Sequence, residues 1–121
     1  MGSAAEVSLT NVPGLQLVHR GKVRDVYAVG DERLLLVATD RLSAFDCVLP
    51  TLIPHKGEVL TQLSAFWFSL LSDIVENHLV TIDTAVMPDP IPTTLNLNGR
   101  STLVKRTDVF PVECIVRGYI E

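Results

Sequence analysis

The chain has 121 residues, 47% of them hydrophobic and 20% charged, which allows one domain with a filled core and excludes a disordered polymer. Ten Lys and Arg against fourteen Asp and Glu leave a net charge of −4, the wrong sign for holding a nucleic acid polymer through a general field. Cys47 and Cys114 stand far apart, outside any C-x-x-C or Cys/His cluster, and read as buried thiols in a reducing cytosol. Residues 59–72 form the longest uncharged stretch, too short and too polar for the ~20 apolar residues of a membrane span. With no basic segment leading an apolar core at the N-terminus, the expectation is a cytoplasmic protein without a membrane partner.

In chain order, residues 1–14 read as a tail and Leu15-Gln16-Leu17-Val18 as a first strand. Gly21 offers a bend before a second strand over 23–29, and Gly30-Asp31 turns the chain into an apolar strand over 34–39. Cys47-Val48-Leu49 is a weaker strand, closed by Pro50. A helix starts near Thr61, capped by Thr61 or Glu58, because Leu60, Leu63, Trp67, Leu70, Leu71, Ile74 and Val75 recur at helical spacing. Phe66, Trp67 and Phe68 read as core on that helix. A proline-rich link over 87–92 excludes helix, and two strands follow over 101–105 and 112–119. This order predicts an α+β fold, an antiparallel sheet with one packed helix. The last strand runs into Ile120-Glu121 without a turn or cap, so the chain reads as stopping short of a domain's natural end.

Three segments carry residues suited to chemistry. In Gly21-Lys22-Val23-Arg24, a strand's period of two sends Lys22 and Arg24 to one face beside a glycine that permits close backbone approach. That pattern suits a polyphosphate, although on the residues alone a solvated edge strand with Asp25 pairing a nearby cation is the simpler reading. Asp40-Arg41-Leu42-Ser43-Ala44-Phe45-Asp46 follows a core strand and offers Asp40 or Asp46 as cation ligand, acceptor or base, or else a local turn held by Asp40 and Ser43. On the strand expected over 112–119, Glu113, Ile115 and Arg117 share a face, with Glu113 and Arg117 ~13 Å apart, too far for a direct pair, which tilts the reading towards a phosphate or carboxylate ligand. His19, His55 and His78 are scattered and favour no metal site.

Taken in order, Gly21-Lys22-Val23-Arg24-Asp25-Val26-Tyr27, Asp40-Arg41-Leu42-Ser43-Ala44-Phe45-Asp46, Ile53-Pro54-His55-Lys56-Gly57 with Leu60-Thr61 and Phe66-Trp67-Phe68, and Pro111-Val112-Glu113-Cys114-Ile115-Val116-Arg117-Gly118-Tyr119-Ile120 closely resemble the SAICAR synthetase family of purine biosynthesis. The resemblance implies a two-lobed fold whose N-terminal sheet, here residues 15–121, clamps ATP much as a protein-kinase small lobe does. It implies ATP-dependent joining of L-aspartate to the carboxylate of carboxyaminoimidazole ribonucleotide (CAIR), with Mg²⁺ on the β- and γ-phosphates. Residue by residue, it puts Gly21, Lys22, Val23 and Arg24 on the ATP phosphates and Val104, Lys105 and Val109 beside the adenine. Asp40, Ser43, Asp46, Glu113 and Arg117 would meet substrate, with Asp46 and Arg117 the catalytic residues; no residue is assigned to the metal.

The family continues after the Arg-Gly-Tyr-Ile segment into a Gly-Ser step and a second lobe, so the resemblance implies a chain truncated before that lobe and inactive alone. A stand-alone nucleotide-binding or regulatory module remains an alternative. So does an interaction domain whose terminal strand pairs with another chain, and the oligomeric state stays open.

Overall fold

The alternation of apolar residues resolves, in a computed structural model describing residues 6–120, into three long strands and what packs on them. These are β1 (Gln16–Arg20), β2 (Arg24–Val29) and β3 (Arg33–Ala38). A two-residue-armed hairpin follows, β4 (Ser43–Ala44) with β5 (Cys47–Val48), then the helix α1 (Lys56–Leu70), then β6 (Leu79–Thr81) and β7 (Ser101–Lys105). The main sheet is antiparallel throughout, in the order β1-β2-β3-β7-β6, and β4–β5 stands apart from it. Gly30, at φ 65, turns β2 into β3 where the sequence places the turn. The expected α+β architecture is the observed one.

Period-two alternation gives the sheet two unlike faces. Tyr27, Leu35, Val37 and Leu103 point to one side and are buried with Val12, Met87, Ile91 and Leu97. Leu35 lies opposite Leu103 in the register, both at most 1% exposed, and each such side chain contributes roughly 1.5–3 kcal/mol by burial. The other side carries Arg24, Val26, Ala28, Leu34, Leu36, Ala38 and Thr102, mostly half-buried, and α1 crosses its Ala38 end.

Several expectations are corrected. Residues expected as a tail are tied down from Val7 onward: Val7, Thr10 and Val12 are buried, and Thr10 bonds Asp25 and Tyr27. The helix begins at Lys56, five residues before Thr61, and neither Thr61 nor Glu58 caps it. His55 holds the N-cap position at φ 64, and its side chain makes no capping hydrogen bond. The cap comes from Asp40 instead, whose Oδ1 accepts the Gly57 N–H at 3.0 Å, a carboxylate at the positive end of the helix. Gly57 is required there, because a Cβ would collide with the Ala38 carbonyl oxygen. At the other end the regular helix stops at Leu70, and 71–75 form turns.

The 112–119 strand does not form, although its residues alternate correctly. A strand is stable only when its backbone groups are paired, and no strand among the described residues pairs with this segment. Its apolar side chains stay exposed, Val116 at 98% and Tyr119 at 81%. Cys47 and Cys114 are exposed free thiols, not buried ones. Phe66 and Trp67, expected in the core, lie half exposed on the outer side of α1 and meet each other edge to face.

Candidate functional site

Between the open sheet face and α1 lies a cleft of about 280 Å3. Leu36, Ala38 and Thr102 form its sheet wall, and Leu60, Ser64 and Phe68 its helix wall. Val23 and Arg24 stand at one edge and also line a smaller groove with His19, Gly21 and Lys22. The apolar cleft therefore opens onto the basic β1–β2 turn.

That turn is built tightly. The Gly21 N–H bonds the Arg24 carbonyl at 2.8 Å, and β1 and β2 resume pairing at Arg20 and Asp25. Lys22 sits in the bend, before β2 begins, so it does not share a strand face with Arg24 as expected. Its Nζ instead meets Asp46 Oδ1 at 2.6 Å, joining two expected site residues 24 positions apart. Both are open to solvent, Lys22 half exposed and Asp46 94% exposed, so the pair itself adds at most about 1 kcal/mol.

Beneath the turn is a buried ionic centre. Asp25 is fully buried and accepts from Thr10 N and Oγ1, from Arg20 Nε at 3.1 Å and from Arg41 Nη2 at 2.9 Å. Burial alone would raise its pKa, but the bonds from Thr10, Arg41 and Arg20 outweigh it and hold the carboxyl below its ordinary value. Arg41 also donates to the carbonyls of Gly21, Lys22 and Ser8.

A second centre joins β3 to α1. Asp40, expected against substrate, is buried with both oxygens occupied: four donors reach it, Val7 N, Gly57 N, Arg100 Nη1 and Arg100 Nη2. A carboxylate offers about four lone-pair sites, so Asp40 has none left for a ligand. Burial pushes its pKa up, and the Arg100 bond with the Val7 and Gly57 amides brings it below the ordinary value. Arg100 also reaches Glu58 Oε1 at 3.3 Å. Neither Arg100 nor Arg41 was singled out in the sequence as a site-builder. The available signal was position alone: Arg41 follows one core strand and Arg100 precedes another, with nothing local to name their partners.

Other expected residues fall in three places. Ser43 lies on β4, half-buried, and Asp46 at the tip of the β4–β5 hairpin, where Phe45 and Asp46 both have positive φ as a type I′ turn requires. Val104 is buried one register step from cleft-lining Thr102, while Lys105 at the end of β7 and Val109 beyond it are exposed. Glu113 and Arg117 lie in the exposed terminal segment, Arg117 lining a groove with Ile115, Tyr119 and Ile120 and not the cleft. No three His, Cys, Asp or Glu side chains among the described residues group to hold a metal, so these residues do not build a cage for Mg²⁺. No helix among them is long and apolar enough to cross a membrane.

The family model described as SAICAR synthetase matches residues 17–121. The chain belongs to that family. Among SAICAR synthetase relatives, the phosphoribosylaminoimidazole-succinocarboxamide synthase of Thermodesulfovibrio yellowstonii is 58% identical over 112 residues, covering 92% of this chain and 38% of its own. A solved SAICAR synthase superposes with a TM-score of 0.83 at 46% identity, over 96% of this chain and 42% of that one. SAICAR-synthase from Saccharomyces cerevisiae, solved with SAICAR, gives 0.71 at 44% identity, over 84% of this chain and 37% of that one. The chain thus spans about two fifths of the length of these SAICAR synthetase relatives.

Proposed function

We propose that this chain is the ATP-binding lobe of a cytoplasmic SAICAR synthetase, an ATP-dependent ligase that joins L-aspartate to the carboxylate of CAIR and releases SAICAR, ADP and phosphate. The observation that carries this reading is the continuity of the apolar cleft with the basic turn at Gly21–Arg24. A purine base fits against Leu36, Ala38 and Phe68, and the phosphates run out toward Lys22 and Arg24. Val104 and Lys105 on β7, with Val109 beyond it, belong to the segment beside the adenine. Mg²⁺, when bound with the nucleotide, would offset the charge of its β- and γ-phosphates.

Lys22 connects the two substrates. Its contact with Asp46 brings the phosphate turn against the β4–β5 hairpin, which supports a reading in which Asp46 and Ser43 meet the CAIR carboxylate beside the γ-phosphate. One carboxylate oxygen of CAIR attacks the γ-phosphorus and ADP leaves. The aspartate amine then attacks the acyl carbon, phosphate leaves and the nitrogen loses a proton. Positioning and electrostatics supply most of the acceleration for such a transfer. Arg117 and Glu113 are assigned to the substrate pocket by the family resemblance, in the context of the family's full length.

Titration of the chain with ATP tests this. Lys22→Ala should weaken ATP about tenfold, the loss of one charge-assisted contact. An unchanged affinity, or no affinity in the wild type, would overturn the phosphate assignment. The 121-residue chain should release no ADP in response to CAIR and aspartate together, and turnover would show that this lobe is sufficient.

A further inference from the structure

We propose that Arg41 is a positioning residue for the polyphosphate: by drawing the carbonyls of Gly21 and Lys22 inward, it turns the next two backbone N–H groups out toward the groove. This rests on the nucleotide reading above. Arg41 is 6% exposed and donates from Nη2 to the Gly21 oxygen at 2.9 Å and from Nε to the Lys22 oxygen at 3.0 Å. Both peptide bonds are trans, Asp89-Pro90 being the one cis bond among the described residues. In a trans peptide the C=O and N–H point in opposite directions. The Lys22 and Val23 N–H groups therefore point away from Arg41, and neither has an acceptor among the described residues. A third carbonyl in succession is fixed as well, because Thr39 donates to the Val23 oxygen from its N–H and its hydroxyl at 3.1 and 2.7 Å.

Two adjacent outward N–H groups, flanked by the cations of Lys22 and Arg24, match the oxygens of a di- or triphosphate. The guanidinium is suited to its task because its donors diverge in a fixed plane and satisfy two carbonyls at once. A lysine ammonium in the same place is a compact charge on a flexible stem and reaches one of them at most. Asp25 pairs with Arg41 from behind at 2.9 Å while also holding Arg20 at 3.1 Å, and Arg41's bonds go to Asp25 and to the carbonyls of Gly21, Lys22 and Ser8, so Arg41 shapes the site from beneath the turn.

The decisive experiment follows amide proton and nitrogen signals of the 121-residue chain during titration with ADP and, separately, adenosine. In the wild type ADP should shift the Lys22 and Val23 amide signals. Arg41→Lys should weaken ADP about tenfold, the loss of a hydrogen bond to a charged group, and leave adenosine unchanged. A merely structural defect lowers both affinities alike, as Arg100→Lys at the other buried centre should show. Equal weakening of both ligands by Arg41→Lys, or unchanged ADP binding, overturns the positioning role while leaving the nucleotide reading intact. No binding of either ligand by the wild type removes both. If Arg41→Lys does not fold, the wild-type spectra still decide: Lys22 and Val23 signals that stay put while ADP moves others around the groove reject the proposal.

Discussion

Two buried aspartate–arginine centres flank β3, and they solve the same electrostatic problem for different ends. At both, a fully buried carboxylate is paired to an almost fully buried guanidinium at 2.9 Å and satisfied by further donors. Asp25 and Arg41 sit under the β1–β2 turn, and Arg41's remaining donors go to the backbone of that turn and to Ser8. Asp40 and Arg100 sit where β3, α1 and the N-terminal segment meet, and their remaining bonds go to Val7, Gly57, Ala38 and Glu58. One centre shapes a surface that a ligand can meet; the other assembles the scaffold. A buried pair alone says nothing about function, and what its spare donors hold decides the matter.

The comparison breaks most sharply at Arg100. Arg100→Met leaves the Asp40 charge buried with no cation, and removes the clamp that carries the α1 cap. It should destabilise the chain by about 3–5 kcal/mol in urea unfolding, the range for breaking a buried pair from one side. Arg41→Lys keeps a cation beside Asp25 and should cost clearly less stability. Comparable losses from the two variants would mean that both centres serve the scaffold alone.

Acid should strike both centres together. Each aspartate has a folded pKa below the ordinary 3.8, so each stabilises the fold fully above that value and loses its contribution as pH falls through the lowered folded value. Stability should therefore hold from neutrality down to the ordinary carboxylate range and fall steeply below it. Asp40→Asn removes one titrating group and should make that acid limb shallower. An unchanged slope would show that Asp40 contributes nothing specific to the pH dependence.

These centres also explain what the sequence could reveal. β2, β3 and β7 were legible because period-two alternation and the turn at Gly30 are local properties. The start of α1 was not, because its cap is Asp40, brought from 17 residues upstream by folding. Asp40 and Asp46 look alike in Asp40-Arg41-Leu42-Ser43-Ala44-Phe45-Asp46, yet one is buried scaffold and the other an exposed tip, a difference set by what β3 and the hairpin pack against. Lys22 was expected to share a strand face with Arg24 but sits in the bend before β2, and its pairing with Asp46 is a tertiary event that no spacing rule encodes. The 112–119 segment failed for the opposite reason: its local pattern was right, and a strand needs a neighbour.

The smallest expected effect belongs to the hairpin that carries Asp46, which neither buried centre supports directly. Phe45 adopts φ 51 with its side chain wholly exposed, so it bears the left-handed penalty of ~1–2 kcal/mol without compensating packing. Phe45→Gly removes that penalty and adds the greater freedom of an unfolded glycine, which offsets part of the gain. The net should be a stabilisation of about 0.5 kcal/mol, seen as a higher urea midpoint at constant m. Asp46 keeps its own positive φ in this variant, so its contact with Lys22 should persist. A loss of stability would mean that the added freedom of the unfolded glycine outweighs the strain relieved at φ 51.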